Sequence, residues 1–185
     1  VKDKERVWTF PPLKGSAPKA DVEKGQDGKT PQPPVIKTGE FSYSSPCEGD
    51  GTIFVGNLDN HLYAINFSDG SLKWKFAAKD GITSSPLYHN GVVYIGANDK
   101  KLYAINANDG KVKWEFETGN WIHSSPKIYK DTVYIGGYDR NLYAIDLASG
   151  KEKWKFQAKG PIISYPVFYQ NLVIFSGGQN DNHVY

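Results

Sequence analysis

The chain has 185 residues, of which 14% are aromatic, with 19 Gly and 11 Pro and no Met, a composition that suits short strands and many turns rather than helices. Its 22 Lys and Arg against 20 Asp and Glu leave a net charge of +2, which gives no electrostatic ground for a nucleic-acid partner. The single cysteine, Cys47, excludes an internal disulfide, and no stretch reaches the roughly eighteen apolar residues of a membrane-spanning helix.

The first six residues, Val1-Lys2-Asp3-Lys4-Glu5-Arg6, are too charged for a signal peptide, so any leader is expected to have been removed. Residues 1–10 close on Arg6-Val7-Trp8-Thr9-Phe10, which reads as the outer strand of a sheet. Residues 11–40 are rich in Pro, Lys, Gly and Asp and cannot bury a core. They are expected to form an inserted loop or a proline-stiffened strap.

From 41 to 185 the sequence repeats itself. Leu62-Tyr63-Ala64-Ile65 returns at Leu102 and at Leu142, a step of 40 residues each time. Lys73-Trp74-Lys75-Phe76 returns at Lys113 and Lys153 with the same step, and Ser44-Ser45-Pro46 at Ser84, at Ser124 and, as Ser164-Tyr165-Pro166, once more. A period near 40 also suits helical arrays, but no unit has helical periodicity.

Each unit instead reads as four strands, A to D. In the second unit, Pro86-Leu87-Tyr88-His89 (A) meets the hairpin pair Asn90-Gly91, and Val92-Val93-Tyr94-Ile95-Gly96 (B) follows. The turn Ala97-Asn98-Asp99-Lys100 leads to Leu102-Tyr103-Ala104-Ile105 (C), and Asp109-Gly110 leads to Lys113-Trp114-Glu115-Phe116 (D). B and C are apolar at consecutive positions, as strands covered on both faces are, whereas D alternates like a half-exposed outer strand. After three such units come an A strand (Val167-Phe168-Tyr169), a B strand (Leu172-Val173-Ile174-Phe175) and the start of C at His183-Val184-Tyr185.

One spacing stands out: Ala64, Asn66, Gly70 and Trp74; Ala104, Asn106, Gly110, Lys111 and Trp114; Ala144, Asp146, Gly150, Lys151 and Trp154. It resembles the tryptophan-docking motif Ala-x-Asp-x-x-Thr-Gly-Lys-x-x-Trp of the pyrroloquinoline-quinone-repeat, or quinoprotein-like, β-propellers. The departures are Asn for Asp twice, Ser71 for Lys once, and Asp or Ser in the Thr place. The resemblance implies an all-β propeller of four-stranded antiparallel blades, with Trp74, Trp114 and Trp154 buried between them. About four blade-equivalents are expected, three complete and one made from the two ends or shared with further chain. A homodimer or a longer chain completing the ring both remain open.

In such a blade the D to A and B to C connections share one face of the propeller, and they vary where the hairpins of the other face do not. Trp121 stands where other units have Gly81 and Pro161, His123 replaces Thr83, Lys100 and Arg140 vary beside a repeated Asp, and Tyr165 replaces a repeated Ser. An aromatic anchor ringed by polar groups is a common interface arrangement, so these five residues are the candidate site for a protein or peptide partner. Asp59, Asp99 and Asp139 recur in every B to C turn and read as turn chemistry. Ser44, Ser84, Ser124 and Ser164 recur in equivalent places and read as structural rather than as one nucleophile. His61, His89 and His183 have no neighbours at metal-ligand spacing, and Glu48-Gly49-Asp50 and Asn180-Asp181-Asn182 do not match a calcium loop. No metal or cofactor is therefore expected.

The family includes quinone-dependent dehydrogenases, which the resemblance implies would use calcium, a catalytic Asp and often adjacent cysteines or a haem-attaching Cys-x-x-Cys-His. This sequence has neither the cysteine pair nor the haem motif, and no Asp stands apart from a repeated turn. The expectation is a non-catalytic scaffold for protein interaction in the cell envelope, periplasmic or extracellular. It is similar in kind to the lipoprotein scaffold of outer-membrane β-barrel assembly, with a quinone-dependent dehydrogenase fragment and an extracytoplasmic sensor domain as alternatives.

Overall fold

The computed structural model describes residues 42–185; the outer strand expected at 1–10 and the insert at 11–40 lie outside the described residues. Blade 1 consists of β1 (Cys47–Gly49), β2 (Thr52–Gly56), β3 (His61–Asn66) and β4 (Leu72–Ala77). Blade 2 consists of β5 (Leu87–His89), β6 (Val92–Gly96), β7 (Lys101–Asn106) and β8 (Val112–Glu117). Blade 3 consists of β9 (Lys127–Tyr129), β10 (Thr132–Gly136), β11 (Asn141–Asp146) and β12 (Glu152–Gln157). Each is an antiparallel sheet with its strands in chain order. A fourth blade is begun by β13 (Val167–Tyr169) and β14 (Leu172–Ile174), with a further bridge between Ser176 and Val184.

Local chemistry accounts for the hairpins. Asn90 and Gly91 have φ of 47° and 75°, the left-handed pair that closes a two-residue hairpin with the twist of its strands. Between blades lie the apolar clusters. Phe54, Leu62 and Ala64 of blade 1 pack with Val93, Ile95 and Ile105 of blade 2, and Tyr94, Leu102 and Ala104 of blade 2 pack with Val133, Ile135 and Ile145 of blade 3.

The tryptophans dock as the motif implies, and their contacts explain its glycine. Ala64 faces Trp74 across the β3–β4 pair, and Ala104 faces Trp114 across β7–β8. The small residue leaves room for the indole to cross to the next blade. There the Trp74 N–H donates to the Ala107 carbonyl at 3.0 Å and the Trp114 N–H to the Leu147 carbonyl at 3.2 Å. The rings press on the next turn so closely that a Cβ at Gly110 would lie 2.9 Å from Trp74, and one at Gly150 would lie 2.6 Å from Trp114. Glycine at these turns thus serves both their positive φ, 72° and 71°, and the approach of a neighbour's ring.

Trp154 departs from the expectation. It is 41% exposed, and every residue of β12 is exposed, whereas β4 and β8 keep their Trp and Phe half-buried. The residues equivalent to Leu147 and Gly150 in the next repeat would follow Tyr185 and are not among the 185 residues.

A second device ties each blade to the next. Asp99 accepts the backbone N–H of Lys79 at 2.9 Å, Asp139 that of Gly119 at 2.7 Å, and Asp181 those of Lys159 and Gly160 at 3.1 and 3.0 Å. The same carboxylates accept the phenol O–H of Tyr103, Tyr143 and Tyr185 at 2.6, 2.6 and 3.0 Å. The repeated Asp is therefore more than a turn former, since it latches the preceding D to A loop. Burial, with the nearby carboxylate second, pushes the Tyr63 phenol up to about 12 and raises Tyr103 and Tyr143 as well, so all three act as neutral donors.

The contrast between the two indoles is measurable. Trp114→Ala should cost about 3 kcal/mol in urea unfolding, because an interblade cavity and an unpaired Leu147 carbonyl result. Trp154→Ala should cost less than about 1 kcal/mol. Equal costs would show that the exposed indole is covered in solution.

Candidate functional site

The candidate site lies where D to A loops meet B to C turns. The two are joined by backbone bonds in successive blades: Asn98 N–H donates to Gly81 O, and Tyr138 N–H donates to Trp121 O, both at 2.9 Å. They therefore share one end of the blades, as the strand order requires.

The loop between blades 2 and 3 differs from the other described D to A loops by carrying Trp121 and His123, which form a three-ring cluster with Tyr138 of the β10 to β11 turn. Trp121 lies parallel to His123 with centroids 5.9 Å apart, and Tyr138 packs edge-on to both, 6.0 Å from Trp121 and 4.6 Å from His123. The indole is 47% exposed although it heads this stack. One blade earlier the same two positions hold Thr83 and Asn98, which share a hydrogen bond at 3.1 Å. A polar pair has thus been exchanged for an aromatic one. Sequence reading missed Tyr138, although it stands where Leu58 and Asn98 stand and was legible as a second departure from the repeat.

Tyr43, Thr83 and His123 occupy one position in three successive repeats and line a cavity of about 350 Å³. The Nε2 of His123 is shielded and has no hydrogen-bond partner among the described residues. Burial holds its imidazole below the ordinary value of 6.5, so the ring is neutral near neutral pH.

The other expected site residues are not gathered into this stack. Lys100 and Arg140 sit at the left-handed position of the B to C turns, φ 72° and 70°, where their carbonyls accept N–H bonds from Thr118 and Ala158. Tyr165 is exposed and lies under the Lys127 ammonium, 4.7 Å from ring centre to Nζ; among the described residues no ring contact joins it to Trp121. At its position earlier blades have Ser85 and Ser125, whose hydroxyls accept the N–H of Ser45 and Ser85, a chain that Tyr165 cannot extend.

The repeated serines have structural partners, as expected. Ser84 Oγ bridges the N–H and carbonyl of Gly96, and Ser164 Oγ does the same at Ser176. Burial raises the Cys47 thiol to about 11, which suits a space-filling role. Among the described residues no group of three His, Cys, Asp or Glu side chains is placed to share a metal ion, and no helix is long and apolar enough to cross a membrane.

The family model described as outer membrane protein assembly factor BamB matches residues 2–180. The chain belongs to the BamB family. No curated protein matches the sequence. Among solved structures, BamB from Moraxella catarrhalis superimposes with a TM-score of 0.68 at 18% identity, covering 76% of this chain and 45% of that one. The computationally designed Ika4 protein superimposes at 0.72 with 13% identity, covering 82% and 94%. The quinohemoprotein alcohol dehydrogenase from Comamonas testosteroni gives 0.57 with 24% identity over 64% and 21%. The chain thus spans less than half of the Moraxella BamB, and these likenesses establish the propeller fold.

The quinone from which the repeat takes its name does not suit the cavity at Tyr43, Thr83 and His123. Its described lining offers a phenol, a hydroxyl and a neutral imidazole, with no cation for a polycarboxylate and no carboxylate for a calcium ion.

The depressed His123 titration has a definite sign. The unfolded chain binds a proton near 6.5 that the folded chain resists, so this group removes stability as pH falls below 6.5 toward the lowered folded value, and has no effect above that range. His123→Gln should therefore lose less of its urea midpoint between about pH 7.5 and about pH 5.5 than the parent. Identical losses in the two proteins would mean that the imidazole titrates freely.

Proposed function

We propose that this BamB-family chain is a non-catalytic propeller scaffold of the cell envelope that holds a protein or peptide partner on its D to A and B to C loop face, with Trp121 as anchor. The observation that carries the reading is a half-exposed indole backed by His123 and Tyr138, where the other described D to A loops carry Gly81 and Pro161 at the same position. A ring already fixed by stacking loses little freedom on binding, and rigid aromatics contribute heavily at interfaces. Lys100, Arg140 and Tyr165 belong to the outer part of this surface. The family's description as an outer membrane assembly factor supports an envelope setting.

Catalysis is not favoured by the carboxylates. Asp99, Asp139 and Asp181 each hold backbone N–H groups and a phenol, which leaves them committed to the latch between blades. Titration with pyrroloquinoline quinone and calcium, followed by quinone absorbance, should give no saturable binding and no alcohol oxidation. Saturable binding with turnover would instead support a dehydrogenase.

The partner surface is tested by placing a photo-crosslinking residue at position 121 and, separately, at position 109 on the opposite hairpins, in cells that express the chain. A defined protein adduct is expected from 121 and not from 109. With that partner purified, Trp121→Ala should weaken binding by more than about 1 kcal/mol and leave the melting temperature nearly unchanged. An adduct from 109 alone, or unfolding by Trp121→Ala, would move the site elsewhere.

A further inference from the structure

The loop that carries Trp121 lies between blades 2 and 3, each of which has all four strands among the described residues. On one side it is fastened to the β6 to β7 turn, where the Lys100 carbonyl accepts the Thr118 N–H and hydroxyl at 2.8 and 2.9 Å. On the other it is fastened to the β10 to β11 turn, where Asp139 accepts the Gly119 N–H and Tyr138 donates its N–H to the Trp121 carbonyl. The indole therefore stands between two turns, each ending on an exposed cation, Lys100 or Arg140.

Hydrogen-bonding capacity around the ring is one-sided. The acceptors are consumed within the fold. Asn120 Oδ1 takes the Trp121 backbone N–H at 2.8 Å, and the Thr118 hydroxyl serves the Lys100 and Asn120 carbonyls. Both oxygens of Asp99 and of Asp139 hold backbone N–H groups, and each carboxylate also accepts a buried phenol. The donors are left over. Among the described residues, the Trp121 indole N–H, the Asn120 amide N–H groups, the Lys100 ammonium and the Arg140 guanidinium have neither an acceptor nor an ion pair. Across the described D to A loops and B to C turns, the exposed charges are Lys79, Lys100, Arg140 and Lys159 against Asp80.

On the reading of Trp121 as a partner anchor, on which this inference rests, we propose that the partner segment is an acidic peptide. Its apolar side chain lies on the indole, and carboxylates on either side of it meet Lys100, Arg140 and the free N–H groups of Trp121 and Asn120. A carboxylate is acceptor-only, which complements a surface whose spare groups are donors, and bonds from charged donors are the stronger kind. A cationic segment would suit the open indole face alone, but Lys100 and Arg140 repel it. Nucleic acid fits less well. A single strand needs a basic groove along its backbone, and here each cation directly follows a carboxylate, Asp99 or Asp139.

The test uses the full 185-residue chain and short labelled peptides: one Phe flanked on both sides by Asp and Glu, the same peptide with Asn and Gln for the acids, and the same with Lys. In fluorescence anisotropy the acidic peptide should bind saturably and at least about ten-fold more tightly than the amide peptide, with no binding of the Lys peptide. Lys100→Asn combined with Arg140→Asn should remove most of that preference. Asn60 holds the same left-handed position in blade 1 at φ 71°, so this double variant should keep its melting temperature. Trp121→Ala should weaken the acidic and the amide peptide alike. Equal affinity for those two peptides, both lost in Trp121→Ala, would overturn the acidic specificity and leave the anchor standing. Acidic binding untouched by either variant would overturn the specificity and the anchor together. Absence of saturable binding by the acidic peptide would overturn the proposal, as would tighter binding of a labelled single-stranded oligonucleotide.

Discussion

A propeller blade cannot bury both its faces alone, and in this protein the contact that joins one blade to the next is the indole of strand D reaching the following C to D turn. One N–H to carbonyl bond and one ring against a glycine fix the relative position of two sheets. The Asp latch acts at the opposite end of the same pair, where a carboxylate holds the preceding loop by its backbone and a buried phenol by its hydroxyl. With both ends of an interblade seam fastened, the apolar residues between them have a set register. Stability in such an array is nearly a sum of neighbour terms, so each seam carries its own share.

That arrangement leaves the loops free to differ. The D to A loop is held through backbone N–H groups rather than through its side chains, so Gly81, Trp121 and Pro161 can alternate at one position without loss of the latch. Among the described loops, the aromatic stack at Trp121, His123 and Tyr138 is one use made of this freedom. It places apolar ring surface in water on a rigid support, an arrangement that the blade itself does not require and that underlies the partner surface proposed above.

The two tryptophans exposed among the described residues have different origins. Trp121 is exposed on a loop that departs from the repeat, whereas Trp154 stands at the repeat's own docking position. The first is a departure from the repeat and the second is part of it. Exposure alone does not distinguish them; the backbone context of each ring does.

The sequence by itself determined the architecture. A 40-residue period, Asn-Gly and Asp-Gly turns, doubly apolar B and C strands and the Ala to Trp spacing all express short-range requirements of turn geometry and strand burial, which recur wherever the same local structure recurs. It also marked Trp121 and His123, since a departure from a repeat is visible without coordinates. Only the tertiary structure decided what lies across a seam: that Asp139 reaches Gly119, that Gly150 receives Trp114, that Tyr138 completes the stack, and that Tyr165 pairs with Lys127 instead of joining it. Those contacts link residues of different blades, and their partners are set by how two sheets pack rather than by any pattern along one strand.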